Sequence, residues 1–335
     1  MKADQDDNLT ICLIGGSGRS GTSILKKLFS KHPETASIPE FRITVDPGGL
    51  LDFYATLKQH WTPYLYDQRI KELEEVLKKA GRSSKLAPAY HKAMKITGAA
   101  SNPVSKLEAQ YTSIGLSKYV PEYMNKVDFL IDDLTQFHFK GSWTGQKLGK
   151  RPRMNFRKRI DTQTLKARLA QFYMDIALSA CVTQNASYFL DDNTWNILYF
   201  DAWLDIKPDL KMVHIYRNPL DVTASLMEQT WAPTNAVQAA VYYSGIMDEW
   251  LRKRKDLPEN SYLEVALEDL VDNTEQKTRE MAEFWELDWD ESLLQTPLDK
   301  ANKDRWKNDI PEKELDRVLA VLKPYLSEFG YVSHT

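Results

Sequence analysis

Two patterns alternate along the chain: short unbroken apolar runs, and longer stretches with apolar residues at helical spacing. Ile11-Cys-Leu-Ile14, ended by Gly15-Gly16, predicts a buried strand of the kind covered on both faces. Thr22 to Ser30 follows with Ile24, Leu25, Leu28 and Phe29 on one helical face, and His32-Pro33 stops it. Lys211-Met-Val-His-Ile-Tyr216 predicts a second buried strand, broken by Arg217-Asn218-Pro219, with a helix over Val222 to Gln229. Ser187 to Leu190 and Tyr262 to Val265 read as further strands. Helical spacing covers Asp67 to Lys79, Thr164 to Thr183, Trp195 to Leu204, Ala236 to Lys255, Glu275 to Glu286 and Pro311 to Phe329, with Gly81 and Gly330 as stops. Lys85 to Arg159 holds scattered Pro, Gly and aromatic residues with weak periodicity, and predicts short helices and loops.

Strands separated by helical patterns predict an α/β fold with a central, mostly parallel sheet flanked by helices. No repeat, low-complexity tract or linker divides the 335 residues, so the expectation is one domain over 1–335 with a helical and loop insertion at about 85–160.

Composition narrows the classes. The net charge of −3 announces no field for nucleic acid. Cys12 and Cys181, the two cysteines, fall in apolar elements and read as core; their number excludes a disulfide framework and a site of several thiolates. Met1 to Thr10 is polar and acidic, and no stretch approaches the ~20 apolar residues of a membrane span. The expectation is a cytoplasmic protein. No Asp cluster or His pair has ligand spacing, so no metal is expected.

The candidate chemistry starts in Gly15-Gly-Ser-Gly-Arg-Ser-Gly-Thr-Ser23, between the first strand and the first helix. Glycines let backbone N–H groups approach an anion, and the helix start adds orphan donors and the positive end of a dipole. Together these predict a site for a phosphate-sized anion. Gly16 and Gly21 have the spacing of a Walker A loop, but Thr22 stands where its Lys belongs, and the nearest cation is Arg19. The anion cradle is present without the NTPase lysine. Plain N-capping by Thr22 and Ser23 would use the same geometry.

Arg19-Ser-Gly-Thr-Ser23 after an apolar strand resembles the 5′-phosphosulfate loop of the sulfotransferases that use 3′-phosphoadenosine-5′-phosphosulfate (PAPS). Val213-His-Ile-Tyr-Arg217-Asn-Pro-Leu-Asp-Val-Thr-Ala-Ser225 resembles that family's second element, whose Arg and Ser hold the 3′-phosphate. Asn260 to Leu270 looks like the segment before the late helices, and Asp304-Arg-Trp-Lys-Asn308 like the C-terminal basic loop. The run Arg19 to Arg42 is closest to the bacterial and tyrosylprotein branch, where a Glu after the first helix is the base; Glu40 matches it.

The resemblance implies a P-loop-NTPase-like sulfotransferase fold and transfer of a sulfuryl group from PAPS to a hydroxyl or amine, releasing adenosine 3′,5′-bisphosphate (PAP). It implies that Gly18, Arg19, Ser20, Gly21, Thr22, Ser23, Arg217, Ser225, Arg305, Trp306 and Lys307 bind the nucleotide. Glu40 and Arg19 would be catalytic, the first as base and the second on the bridging oxygen and sulfuryl group, and the insertion would cover the acceptor site. His138 is the rival base. Asn193 or Thr194 stands in for the Lys that the family usually carries, and Ala266-Leu267 replaces its usual Arg-Tyr pair.

The densely basic Gln146 to Arg159 reads either as a patch for an acidic acceptor or as a solvated loop. Tyr54, Trp61, Tyr64, Tyr66, Phe137 and Trp143 are candidates for lining an acceptor pocket. The acceptor is a small molecule, a glycan or a peptide, and a homodimer is compatible with the reading. Two other readings stay open: a P-loop small-molecule or nucleoside kinase, and a PAPS- or PAP-binding protein without catalysis.

Overall fold

The computed structural model describes residues 9–39, 41–82, 115–145, 153–298 and 303–331. Among them stand seven strands: β1 (Thr10–Gly15), β2 (Thr35–Ser37), β3 (Phe137–Lys140), β4 (Arg153–Phe156), β5 (Tyr188–Asp191), β6 (Lys211–Tyr216) and β7 (Tyr262–Ala266). Five form one sheet in the order β2-β5-β1-β6-β7, with every neighbouring pair parallel. The backbone forms two compact units. The first runs through Ser37 and takes in Ala186–Asp201 and the chain from Asp209 onward; the second comprises Ile38–Asn185 and Ala202–Pro208.

The first unit carries the parallel sheet, and its central strands are the two apolar runs read from the sequence. Cys12 and Ile14 of β1 and Val213 and Ile215 of β6 meet Leu25, Leu28 and Phe29 of the Thr22–Phe29 helix on one face. Leu270, Met281 and Trp285 close that layer, and Phe29 meets Trp285 edge-on at 5.0 Å between ring centroids. Each such side chain, fully buried, contributes ~1.5–3 kcal/mol. On the other face His214, 0% exposed, bonds Glu264 at 2.9 Å, and Trp250 Nε1 donates to the same carboxylate oxygen at 3.2 Å. His214 is thus a packed residue, as its strand position implied.

The helix after β6 spans Pro219–Leu226, three residues earlier than the apolar spacing suggested. Pro219 sits in its first turn, where a missing N–H costs nothing, and the Asn218 side chain caps it by accepting from Leu220 N at 2.9 Å.

The second unit departs from the helix-and-loop expectation. Inside Lys85 to Arg159, β3 and β4 pair antiparallel, Phe137 opposite Phe156 and His138 opposite Asn155. Four-residue strands with a long connection leave little periodic signal. Asp67, fully buried on the Pro63–Gly81 helix, pins the hairpin by accepting from Asn155 N at 2.8 Å and Trp143 Nε1 at 3.2 Å. Tyr54 and Tyr66 are core residues, whereas Tyr64 and Phe137 are exposed and Tyr64 stacks on Trp143. Both cysteines are buried. Among the described residues, no helix is long and apolar enough to cross a membrane.

Candidate functional site

β1 and β6 are hydrogen-bonded neighbours, with Gly15 against His214. The connection after β1 leads toward β2 on one side of the sheet, while β6 pairs with β7 on the other. Crevices at the carboxyl ends of strands where the order reverses are where parallel α/β sheets bind ligands. The two motif loops leave the carboxyl ends of these adjacent strands.

The first loop needs its glycines. A Cβ on Gly16 would stand 2.3 Å from Ser20 Oγ and 2.8 Å from the Ile215 carbonyl oxygen. Gly18 has φ 80° and Gly21 φ 115°, and Arg19 itself is held at φ 59°. A non-glycine residue there costs of order 1–2 kcal/mol, so the fold spends strain on aiming Arg19. Gly21 is the N-cap of the Thr22–Phe29 helix and makes no side-chain cap. Thr22 and Ser23 lie inside the first turn, so they are not N-caps, and Ile24 N already bonds the Gly21 carbonyl at 2.9 Å. Ser20 Oγ is buried and makes no hydrogen bond among the described residues.

The second loop delivers Arg217, 6% exposed, and Ser225. Arg19 Nε donates to Ser225 Oγ at 3.0 Å, which joins the two motifs physically. Arg217 Nη2 lies 3.8 Å from Asp221 Oδ2. Burial depresses the Arg217 pKa, with Arg305 and Arg19 adding to the effect and Asp221 and Glu268 opposing it. Burial and then the Arg305 charge likewise depress Arg19. Three guanidinium groups from distant segments therefore feel one another, and a polyanion among them would relieve that repulsion.

Arg305 comes from the segment before the short Trp306–Asp309 helix. Burial works against its charge, but Glu228 at 2.8 Å and Asp309 at 2.5 Å more than offset it and raise its pKa. Trp306 Nε1 is buried without a hydrogen bond among the described residues. Lys307 is exposed and pairs with Asp304 at 3.2 Å.

Thr194 lies at the first loop: its carbonyl accepts from Gly16 N at 3.1 Å. Asn193 Oδ1 accepts from Trp195 N at 3.3 Å, so that oxygen already serves the local turn. Three neighbours went unremarked or underrated in the sequence. Trp231 stands against Gly18, where a Cβ would meet its ring at 3.1 Å, and Glu228 pairs with Arg305. Asp221, one helical turn beyond Arg217, accepts through its side chain from the backbone of the Arg305 segment. No local pattern marks the first two, since each is a polar or aromatic residue in a surface turn. Glu40 lies outside the described residues.

His138 belongs to the second unit, on an exposed strand. Its Nδ1 lies 2.9 Å from Asn155 Oδ1 and its Nε2 2.6 Å from Arg153 Nη2. The amide oxygen and the guanidinium together place the ring proton on Nδ1 and the lone pair on Nε2. A cavity of about 630 Å³ in this unit, beside Phe129, Leu130, Arg168 and Phe172, contains none of the predicted site residues. Among the described residues, no three His, Cys, Asp or Glu side chains gather where they could hold a metal ion.

Comparison with known proteins bears on the fold and the family. A sulfotransferase domain from the Synechococcus PCC 7002 olefin synthase superposes with a TM-score of 0.53 at 16% identity, over 95% of this chain and 94% of that one. A sulfotransferase domain from the curacin biosynthetic pathway aligns with a TM-score of 0.48 at 14% identity, over 97% and 98%. An uncharacterized protein of Aquifex aeolicus (strain VF5) is 27% identical over 147 residues. That stretch takes in 41% of this chain and 18% of the relative, so the chain spans less than a fifth of it. The model of the sulfotransferase family matches residues 12–291, and with this parallel sheet and its paired loops the chain belongs to the sulfotransferase family.

Proposed function

We propose that the protein transfers a sulfuryl group from PAPS to a hydroxyl or amine acceptor and releases PAP. The observation that carries this reading is the Arg19–Ser225 hydrogen bond, which sets the candidate 5′-phosphosulfate loop against the candidate 3′-phosphate helix. The residues fit such a nucleotide. Gly16 has no room for a Cβ, Ser20 Oγ is a buried hydroxyl without a bond among the described residues, and the Arg217 guanidinium feels the charges of Arg19 and Arg305.

PAPS, when bound, supplies a sulfuryl group made transferable by its anhydride link to phosphate. Arg19, the first-turn amides and the Thr22 hydroxyl would stabilise the charge that develops on the bridging oxygen. A sulfuryl group carries less negative charge than a phosphoryl group, so fixed donors can fill the role that a metal plays in phosphoryl transfer. Arg217, Ser225 and Arg305 would hold the 3′-phosphate, and Trp306 and Lys307 would flank it. ATP lacks that phosphate and would forgo its contacts to these cations. Glu40 is assigned the proton of the attacking acceptor, help typically worth ~10²–10⁴-fold.

The acceptor is assigned an anionic character. From Phe137 to Ile160 the sequence carries eight Lys and Arg and no Asp or Glu. Arg157 and Arg159 donate to the carbonyls of Asp133 and Lys58, at 2.6 and 3.2 Å, bonds that orient the cations without neutralising them. Phe137 and Phe139 lie exposed beside them.

Thermal melting with PAP, PAPS and ATP–Mg²⁺ tests the reading. A ligand at ~100 times its Kd stabilises the native state by ~2.7 kcal/mol. PAP and PAPS should raise the melting temperature and ATP–Mg²⁺ should not; a shift with ATP–Mg²⁺ alone transfers the assignment to a kinase. Labelled sulfate appearing on an acceptor separates an enzyme from a protein that only binds PAP.

A further inference from the structure

Asp221 is a buried carboxylate, 1% exposed, on the first turn of the Pro219–Leu226 helix. Its two oxygens are spent on a segment some eighty residues away: Oδ2 accepts from Asp304 N at 3.0 Å and Oδ1 from Trp306 N at 3.1 Å. The residue between those two amides is Arg305. Asp304 is held at φ 62°, a left-handed turn, and the Trp306–Asp309 helix begins just beyond it. Burying an ionised carboxylate is costly, and burial does push the Asp221 pKa up while the Trp306 amide and Arg217 pull it back. A neutral side chain would anchor a surface loop at lower cost. What the carboxylate adds is two acceptors at a fixed spacing, beside Arg217 and one helical turn before Ser225.

We propose that Asp221 is the positioning residue of the 3′-phosphate site: by holding the amides on either side of Arg305, it fixes the backbone of that residue to the helix that carries Ser225, so that the guanidinium, paired with Glu228 and Asp309, is presented from a fixed point. The inference rests on the nucleotide reading above and deepens it. Affinity for a nucleotide with a 3′-phosphate then depends on a carboxylate that does not touch the nucleotide. Asn at this position keeps the shape but offers one acceptor oxygen, and turns an NH₂ group toward the second amide.

The test uses the full chain, wild type and Asp221→Asn, with melting as a control for folding. Calorimetric titration compares PAP with AMP, which lacks the 3′-phosphate. The variant should lose about 10–100-fold in PAP affinity, the loss expected when hydrogen bonds to a charged group are weakened, and much less for AMP. NMR hydrogen exchange supplies a readout that needs no variant: PAP should slow exchange of the Asp304 and Trp306 amides in wild type more than AMP does. Unchanged PAP affinity in Asp221→Asn, an equal loss for PAP and AMP, or equal protection of the two amides by both nucleotides overturns the positioning role. Wild-type protein that binds PAP no better than AMP overturns the 3′-phosphate assignment itself, whatever the variant does.

Discussion

Arg19 Nε donates to Ser225 Oγ at 3.0 Å across 206 residues of sequence. Arg19 stands in the turn after β1 and Ser225 near the end of the helix after β6, and they meet because β1 and β6 are parallel neighbours. Under the nucleotide reading proposed above, the two loops would form one extended site.

Arg217 is the first residue to remove. Arg217→Ala should lower PAP affinity by about 10–100-fold, as hydrogen bonds to charged groups contribute ~1.5–3 kcal/mol. The loss in binding should exceed the loss in unfolding free energy measured by urea. Equal affinity would sink its assignment to the 3′-phosphate.

Glu228 should act in the opposite sense. Its carboxylate pairs with Arg305 at 2.8 Å and is largely exposed. An arriving phosphate must compete with it. Glu228→Gln should tighten PAP binding, by up to about fivefold if the exposed pair is worth ~1 kcal/mol or less. Weaker binding in this variant would show that Glu228 supports the site instead of competing for it.

Glu40→Gln should slow sulfuryl transfer by ~10²-fold or more while PAP affinity stays near wild type. If transfer continues at full rate, another residue is the base, and His138, whose Nε2 would first have to release Arg153, becomes the leading candidate. His138→Ala would then carry the loss.

Acid stability should report the network behind β6. Burial alone would raise the Glu264 pKa, but the His214 hydrogen bond and the nearby Arg254 outweigh it and hold the carboxyl down to about 2, against an ordinary 4.5. A depressed carboxylate pKa contributes stability above the unfolded value and loses it as pH falls toward the folded one. The protein should therefore lose up to ~3 kcal/mol between about pH 4.5 and 2 from this group. Glu264→Gln should be less stable at pH 7 and show a shallower acid slope in urea titrations. An unchanged slope would remove Glu264 from the account.

Elements whose cause is local were legible. β1 and β6 declare themselves as unbroken apolar runs, and the turn after β1 shows in Gly18 and Gly21, whose left-handed backbone glycine takes without strain, whereas the left-handed Arg19 could not be read from its residue type. The hairpin of β3 and β4 was not legible: its register is set by Asp67, a buried residue on a helix elsewhere in the sequence.

The sequence by itself determined the alternation of strands and helices, the glycine-lined loop after β1 and the residue types of the proposed nucleotide site. These depend on periodicity and on backbone freedom within a few residues. Tertiary structure alone decided that β1 lies beside β6, that Arg305 is held to the Pro219–Leu226 helix through Asp221, and that Glu228 and Trp231 stand at the same site. Those outcomes follow from which apolar faces bury together and from where a buried carboxylate finds its donors. Neither is encoded in the residues adjacent to it.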